Sequence, residues 1–170
     1  GGYINAGTSR EYTNLYVRML EEHVGAGLDV LFDLLNNSLF EDIEKERGVI
    51  LEEIASIEDT PDELSHDLLS EYHWPDHPLG RPVSGYAGTV AAFGTEDFKR
   101  FYDTWYTPSN MVFSIAGKFD EEEVLRRVET AMCGKKDAPA PAISDRPRFQ
   151  SGIKIAERPI SQTHIGLAFP

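Results

Sequence analysis

Glu44-Lys45-Glu46-Arg47-Gly48-Val49-Ile50-Leu51-Glu52-Glu53-Ile54 reads as part of a helix running from about residue 41 to residue 57. Wound at about 100° per residue, Ile43, Ile50 and Ile57 share one line, with Ile54 on one shoulder and Val49 about 100° round on the other side. Glu46 and Glu53, seven residues and so two turns apart, fall between Ile50 and Val49, inside the apolar sector. Lys45, Gly48 and Glu52 take the opposite side. Two carboxylates on an apolar face repel each other and lose hydration, so the pattern calls for a cation against them. An arginine, a lysine or a metal ion satisfies it. The structural reading is a salt bridge to Arg47 or Arg10; the metal reading rests on glutamate being an established zinc ligand.

Outward from this helix the chain alternates strand and helix signals. Residues 3–8 and 12–20 read as two strands separated by the polar turn Ser9-Arg10-Glu11. Residues 22–37 carry a helical period in Val24, Leu28, Leu31, Leu34 and Leu35. Pro61 ends the glutamate helix, because the residue before a proline is pushed out of the helical region. A further helix is expected over residues 62–74, followed by a stiff proline- and glycine-rich loop over 74–82. Thr95, Glu96 and Asp97 open a helix reaching Tyr106, and Thr107-Pro108 stops it. Residues 111–116 are expected to form a short buried strand, and Asp120 to cap a helix over 121–132. Residues 134–141 read as an extended linker, and 152–157 and 162–169 as the two strands of a hairpin.

Composition narrows the classes of function. With 29 acidic against 16 basic side chains the net charge is -13, which repels a phosphate backbone and excludes a nucleic-acid partner. The same surface suits basic peptides. No apolar run is long enough to span a bilayer, so no membrane partner is expected. Cys133 is the single cysteine, so no intrachain disulfide can form. The chain opens on Gly1-Gly2-Tyr3, without Met and without a basic and apolar leader, and is expected to be a piece of a longer protein.

Four segments in order then point to a family. Residues 1–13, Gly1-Gly2-Tyr3-Ile4-Asn5-Ala6-Gly7-Thr8-Ser9-Arg10-Glu11-Tyr12-Thr13, resemble a G-G-x-x-N-A-x-T-S-R-E-x-T segment. Glu44 to Ile54 resembles an E-x-E-R-x-V-I-x-x-E-I helix. His77-Pro78-Leu79-Gly80-Arg81-Pro82 with Gly85 resembles H-P-L-G-R-P-x-x-G, and Tyr106-Thr107-Pro108-Ser109-Asn110-Met111-Val112 resembles Y-x-P-x-N-M-V. Together they are similar to the pitrilysin, insulinase and mitochondrial processing peptidase family of zinc metallopeptidases, and the resemblance covers essentially the whole chain.

The resemblance implies an α+β fold, an antiparallel-rich sheet with helices packed on one face and incomplete at its N-terminus. Residues 1–148 would be most of an N-terminal peptidase domain, and 149–170 the linker end and opening hairpin of a second, homologous domain. That hairpin could fill the place of the first domain's missing hairpin beside residues 3–8. The implied activity is zinc-dependent endopeptidase hydrolysis of peptide bonds. Members of the family are inverzincins, in which an H-x-x-E-H helix supplies two ligands and a general base. By residue-to-residue matching Glu53 becomes the third zinc ligand and Glu46 a supporting catalytic carboxylate behind it. Asn5 and Ala6 fall on the sheet edge where an extended substrate adds as a strand. Gly7 departs from the aromatic residue common after N-A in the family.

No H-x-x-E-H occurs in the 170 residues, so the chain alone is expected neither to hold a catalytic zinc nor to hydrolyse peptides. The rival reading is a catalytically silent homologue serving as a structural or peptide-binding subunit. The implied partners are a peptide or protein substrate, a basic one suiting the charge, and a second copy or second subunit. The compartment expected is bacterial cytoplasm, with the mitochondrial matrix as the alternative. His66, His73 and His77 near Glu71 and Asp76 lack the H-x-x-x-H spacing of a helical zinc pair and are expected to be structural or solvent-facing.

Overall fold

A computed structural model describes residues 1–139 and 146–170. Part of the expected linker, residues 140 and 141, lies outside them. Two strands, β1 (Tyr3–Thr8) and β2 (Thr13–Arg18), pair as a small antiparallel sheet. Among the described residues six α-helices follow: α1 (Val24–Asn36), α2 (Ile43–Asp59), α3 (Pro61–His73), α4 (Ala87–Ala92), α5 (Thr95–Trp105) and α6 (Glu121–Met132). The class is α+β. The chain divides into two compact units.

The first unit holds residues 1–7, 13–41 and the residues from Gly94 to the undescribed stretch. Leu28 and Leu35, 9% and 7% exposed, are the buried line of α1, two turns apart as its period demands. Leu34, which the same period places on the apolar stripe, is exposed at the stripe's edge. Helices α1 and α6 are joined by polar contacts. Arg127 bridges Asp29 at 2.7 Å and Glu123 at 2.6 Å, and Asn36 Nδ2 donates to the Ala131 carbonyl at 3.0 Å. Asp120 caps α6 by accepting from the Glu123 amide at 2.9 Å. After α5, Thr107 is 2% exposed and its hydroxyl donates to the Ala138 carbonyl at 3.1 Å.

The second unit holds residues 8–12, 42–93 and the C-terminal stretch. Pro61 serves as the first residue of α3, where its missing N–H costs nothing. Arg10 pairs with Asp67 at 3.2 Å and donates to Ser70 Oγ and the Arg81 carbonyl at 3.3 Å each. At the end of α3, His73 is 6% exposed. Its ring stacks on Phe149 with centroids 4.4 Å apart, and its Nδ1 lies 2.7 Å from the Gln150 carbonyl. The Gln150 amide donates back to the His73 carbonyl at 2.9 Å. Gly80 sits where a Cβ would meet the Trp74 carbonyl, so the H-P-L-G turn needs a glycine for space.

Two expectations are corrected. Residues 111–116 are not a buried strand: no partner strand pairs with them among the described residues, and Val112 is 93% exposed. Residues 152–157 and 162–169 do not form a hairpin. They line a groove of about 880 Å³ against α3, with Gly152 beside Tyr72 and Gly166 beside Leu69. Among the described residues β1 pairs with β2 alone. In each case the segment has β-forming composition, but a strand exists only where a neighbour accepts its backbone hydrogen bonds.

Candidate functional site

Helix α2 begins at Ile43 after Asp42, which adopts a left-handed backbone with φ 57°. Its buried seam is Arg47, Ile50, Leu51, Ile54 and Ile57, of which Ile54 is the most enclosed at 7% exposed. That seam is centred about 40° round from Ile50, on the side away from Val49. Val49 is accordingly 51% exposed, and Glu46 and Glu53 are exposed with it. The expectation of two carboxylates buried in an apolar sector is thereby corrected. They share an outward face, still two turns apart, at a rise of about 10 Å. Helical periodicity gave their common face correctly and its orientation wrongly, because Val49 was counted as core.

The structural salt bridge that could have explained the pair is not formed. Arg47 reaches Glu44 at 3.0 Å and two backbone carbonyls, and Arg10 reaches Asp67. Neither Glu46 nor Glu53 has an ion-pair partner among the described residues, so both carboxylates present free oxygen ligands. That donor chemistry fits zinc, for which a single glutamate is one ligand among three. No group of three metal-binding side chains occurs among the described residues.

On β1, Asn5 and Ala6 are both exposed. Asn5 Oδ1 accepts the Ala6 amide at 2.9 Å, and Asn5 Nδ2 lies 3.5 Å from the Tyr16 hydroxyl on β2. The edge of β1 away from β2 has no strand partner among the described residues, which leaves it open to strand addition. The histidines hold backbone: His73 clasps Gln150, and His77 Nδ1 accepts the Leu79 amide at 3.2 Å. Sequence reasoning gave no role to Arg47 beyond that of a counter-ion. Its two carbonyl contacts lie more than 40 residues away and leave no local signal.

The insulinase family model, described as peptidase family M16, matches residues 1–86. The chain belongs to the insulinase family. A second insulinase-family model, described as the peptidase M16 inactive domain, matches residues 92–170. An uncharacterized zinc protease of Bacillus subtilis is 36% identical over 172 residues, covering 99% of this chain and 42% of that protein. A probable mitochondrial-processing peptidase subunit beta of Arabidopsis thaliana is 36% identical over 160 residues, covering 91% of this chain and 30% of the relative. Among solved structures, a putative M16-like peptidase from Alicyclobacillus acidocaldarius superposes with a TM-score of 0.66 at 30% identity, covering 88% of this chain and 35% of that one. The insulinase-family chain thus spans well under half the length of these relatives. No helix among its described residues is long and apolar enough to cross a membrane.

Proposed function

We propose that this chain is part of a zinc-dependent metalloendopeptidase, in which Glu53 is a metal ligand and Glu46 supports the site from one helical repeat away. The observation that carries the reading is the outward face of α2, where both carboxylates stand exposed and, among the described residues, without an ion-pair partner, on the helix that matches the family's ligand motif. Bound at Glu53, zinc supplies Lewis acidity toward a peptide carbonyl and its attacking water. The chain's own part is to hold one oxygen ligand at a fixed rotation and to keep a second carboxylate nearby. The remaining ligands and the general base belong to residues outside the 170. Asn5 and Ala6 on the open edge of β1 would bind an extended peptide through its backbone, with the Ala6 amide exchanging Asn5 Oδ1 for a substrate carbonyl. The negative charge favours basic substrates. Residues 1–148 and 149–170 would belong to successive homologous domains. Processing-peptidase relatives carry the word subunit in their names, which supports a second subunit or second copy as partner. Bacterial and mitochondrial relatives support either the bacterial cytoplasm or the matrix as compartment.

The test uses the parent protein. Glu53→Gln is expected to lose stoichiometric zinc, read by elemental analysis, together with peptide hydrolysis. Glu46→Gln is expected to keep zinc but bind it roughly tenfold more weakly. Full zinc occupancy in Glu53→Gln would overturn the assignment.

A further inference from the structure

Arg47 stands one residue from Glu46 and six from Glu53, and the reading above gives it no task. Its side chain is only 18% exposed, although an arginine on an acidic helix ordinarily keeps its guanidinium in water. The guanidinium instead reaches the end of α4. Nη1 donates to the Ala91 carbonyl, and Nη2 donates to the Phe93 carbonyl at 2.6 Å. Glu44, itself largely exposed, closes the outer side at 3.0 Å. Carbonyls at a helix C-terminus lack partners within the helix and carry its partial negative charge, so a forked cation is their best complement. The buried Nε has no hydrogen-bond partner among the described residues. The side chain is therefore placed by its two carbonyl bonds, at the expense of its third donor.

The rotation of α2 matters because its apolar seam is thin, with Ile54 the one residue of the helix that is fully buried. A helix turned by about 20° carries a carboxylate about 6 Å from its axis through about 2 Å. Metal–ligand distances tolerate about a tenth of that. Arg47 lies about 120° round the helix from Glu53, where it can oppose such a turn without touching the carboxylates.

We infer that Arg47 is a positioning residue: by tying α2 to the carbonyls at the end of α4, it fixes the rotation at which Glu46 and Glu53 face outward together. The inference rests on the reading of Glu53 as a metal ligand. Arg47→Lys keeps the charge and loses the fork; Arg47→Gln loses both.

The experiment compares both variants with Glu53→Gln in the parent protein, loaded with zinc and separately with cobalt(II). The Arg47 variants are expected to retain one equivalent of metal. Chelator competition should show zinc affinity weakened roughly tenfold or more. The visible cobalt bands should shift, and kcat should fall with little change in KM. If Arg47→Gln does not fold, Arg47→Lys carries the same readings. Native affinity and native cobalt bands in the folded variants, with a lowered melting temperature as the sole defect, would overturn the inference and leave Glu53 as ligand. Native metal binding by Glu53→Gln would instead remove the underlying reading, and this inference with it.

Discussion

Asp97 shows how much one carboxylate can organise. It accepts the Gly94 amide at 2.9 Å and pairs with Arg100, and together these hold its carboxyl below the usual aspartate range, the amide contributing most. A depressed folded-state pKa means that the unfolded chain takes up the proton first as pH falls. The stabilisation is therefore fully present above the unfolded value, about 4, and is lost as pH drops through the folded one. Asp97→Asn should lower the melting temperature at pH 7, and the gap to the wild type should close as melts are repeated toward about pH 2. A gap that stays constant across that range would show that the charge contributes nothing. The helix start that frames this contact was legible in the sequence at Thr95, Glu96 and Asp97, because its partners lie within one turn. Thr107 was not: its buried hydroxyl depends on the Ala138 carbonyl, 31 residues on.

At the scale of the element, α2 carries the sharpest test of orientation. Two of its apolar residues, Val49 and Ile54, have similar side chains and opposite surroundings, 51% against 7% exposed. Ile54→Ala should cost about 2–4 kcal/mol through lost burial and the cavity left behind. Val49→Ala should change stability by less than about 0.5 kcal/mol. Chemical denaturation of the two variants measures both. Equal costs would restore the rotation that the helical period alone suggested and bring Glu46 and Glu53 back toward the core. Helix α4 illustrates a different limit. Six residues with three alanines and a glycine offer no apolar period, so its existence rests on docking against α2, where Arg47 meets its end.

Over the whole molecule, long-range clasps decide which segments are held. His73 binds residues 149 and 150 by a stacked ring, by its Nδ1 and by its own backbone carbonyl. His73→Ala removes the ring and the Nδ1 contact and leaves the backbone bond alone. The Gln150 amide should then exchange with deuterium faster, while amides of α6 in the other unit keep their wild-type rates. Unchanged protection at Gln150 would show the clasp to be redundant. The exposed alternating residues beyond it, such as Ile153, Ile155, Ile165 and Leu167, are 77–85% exposed and keep their β-forming pattern without a strand partner among the described residues. Composition alone could mark them as strand-like; only a neighbouring backbone could make them strands.

The sequence by itself determined the starts and stops of the long helices and the β1–β2 hairpin, because capping, proline geometry and turn formation act within a few residues of their cause. It also determined the family, through four motifs in order, and placed Glu46 and Glu53 on one helical face. The tertiary structure decided which way that face points, which β-forming runs find partners, and where the Arg47 guanidinium goes. Each of these depends on groups brought together from tens of residues apart, and burial and strand pairing are properties of the neighbour as much as of the segment.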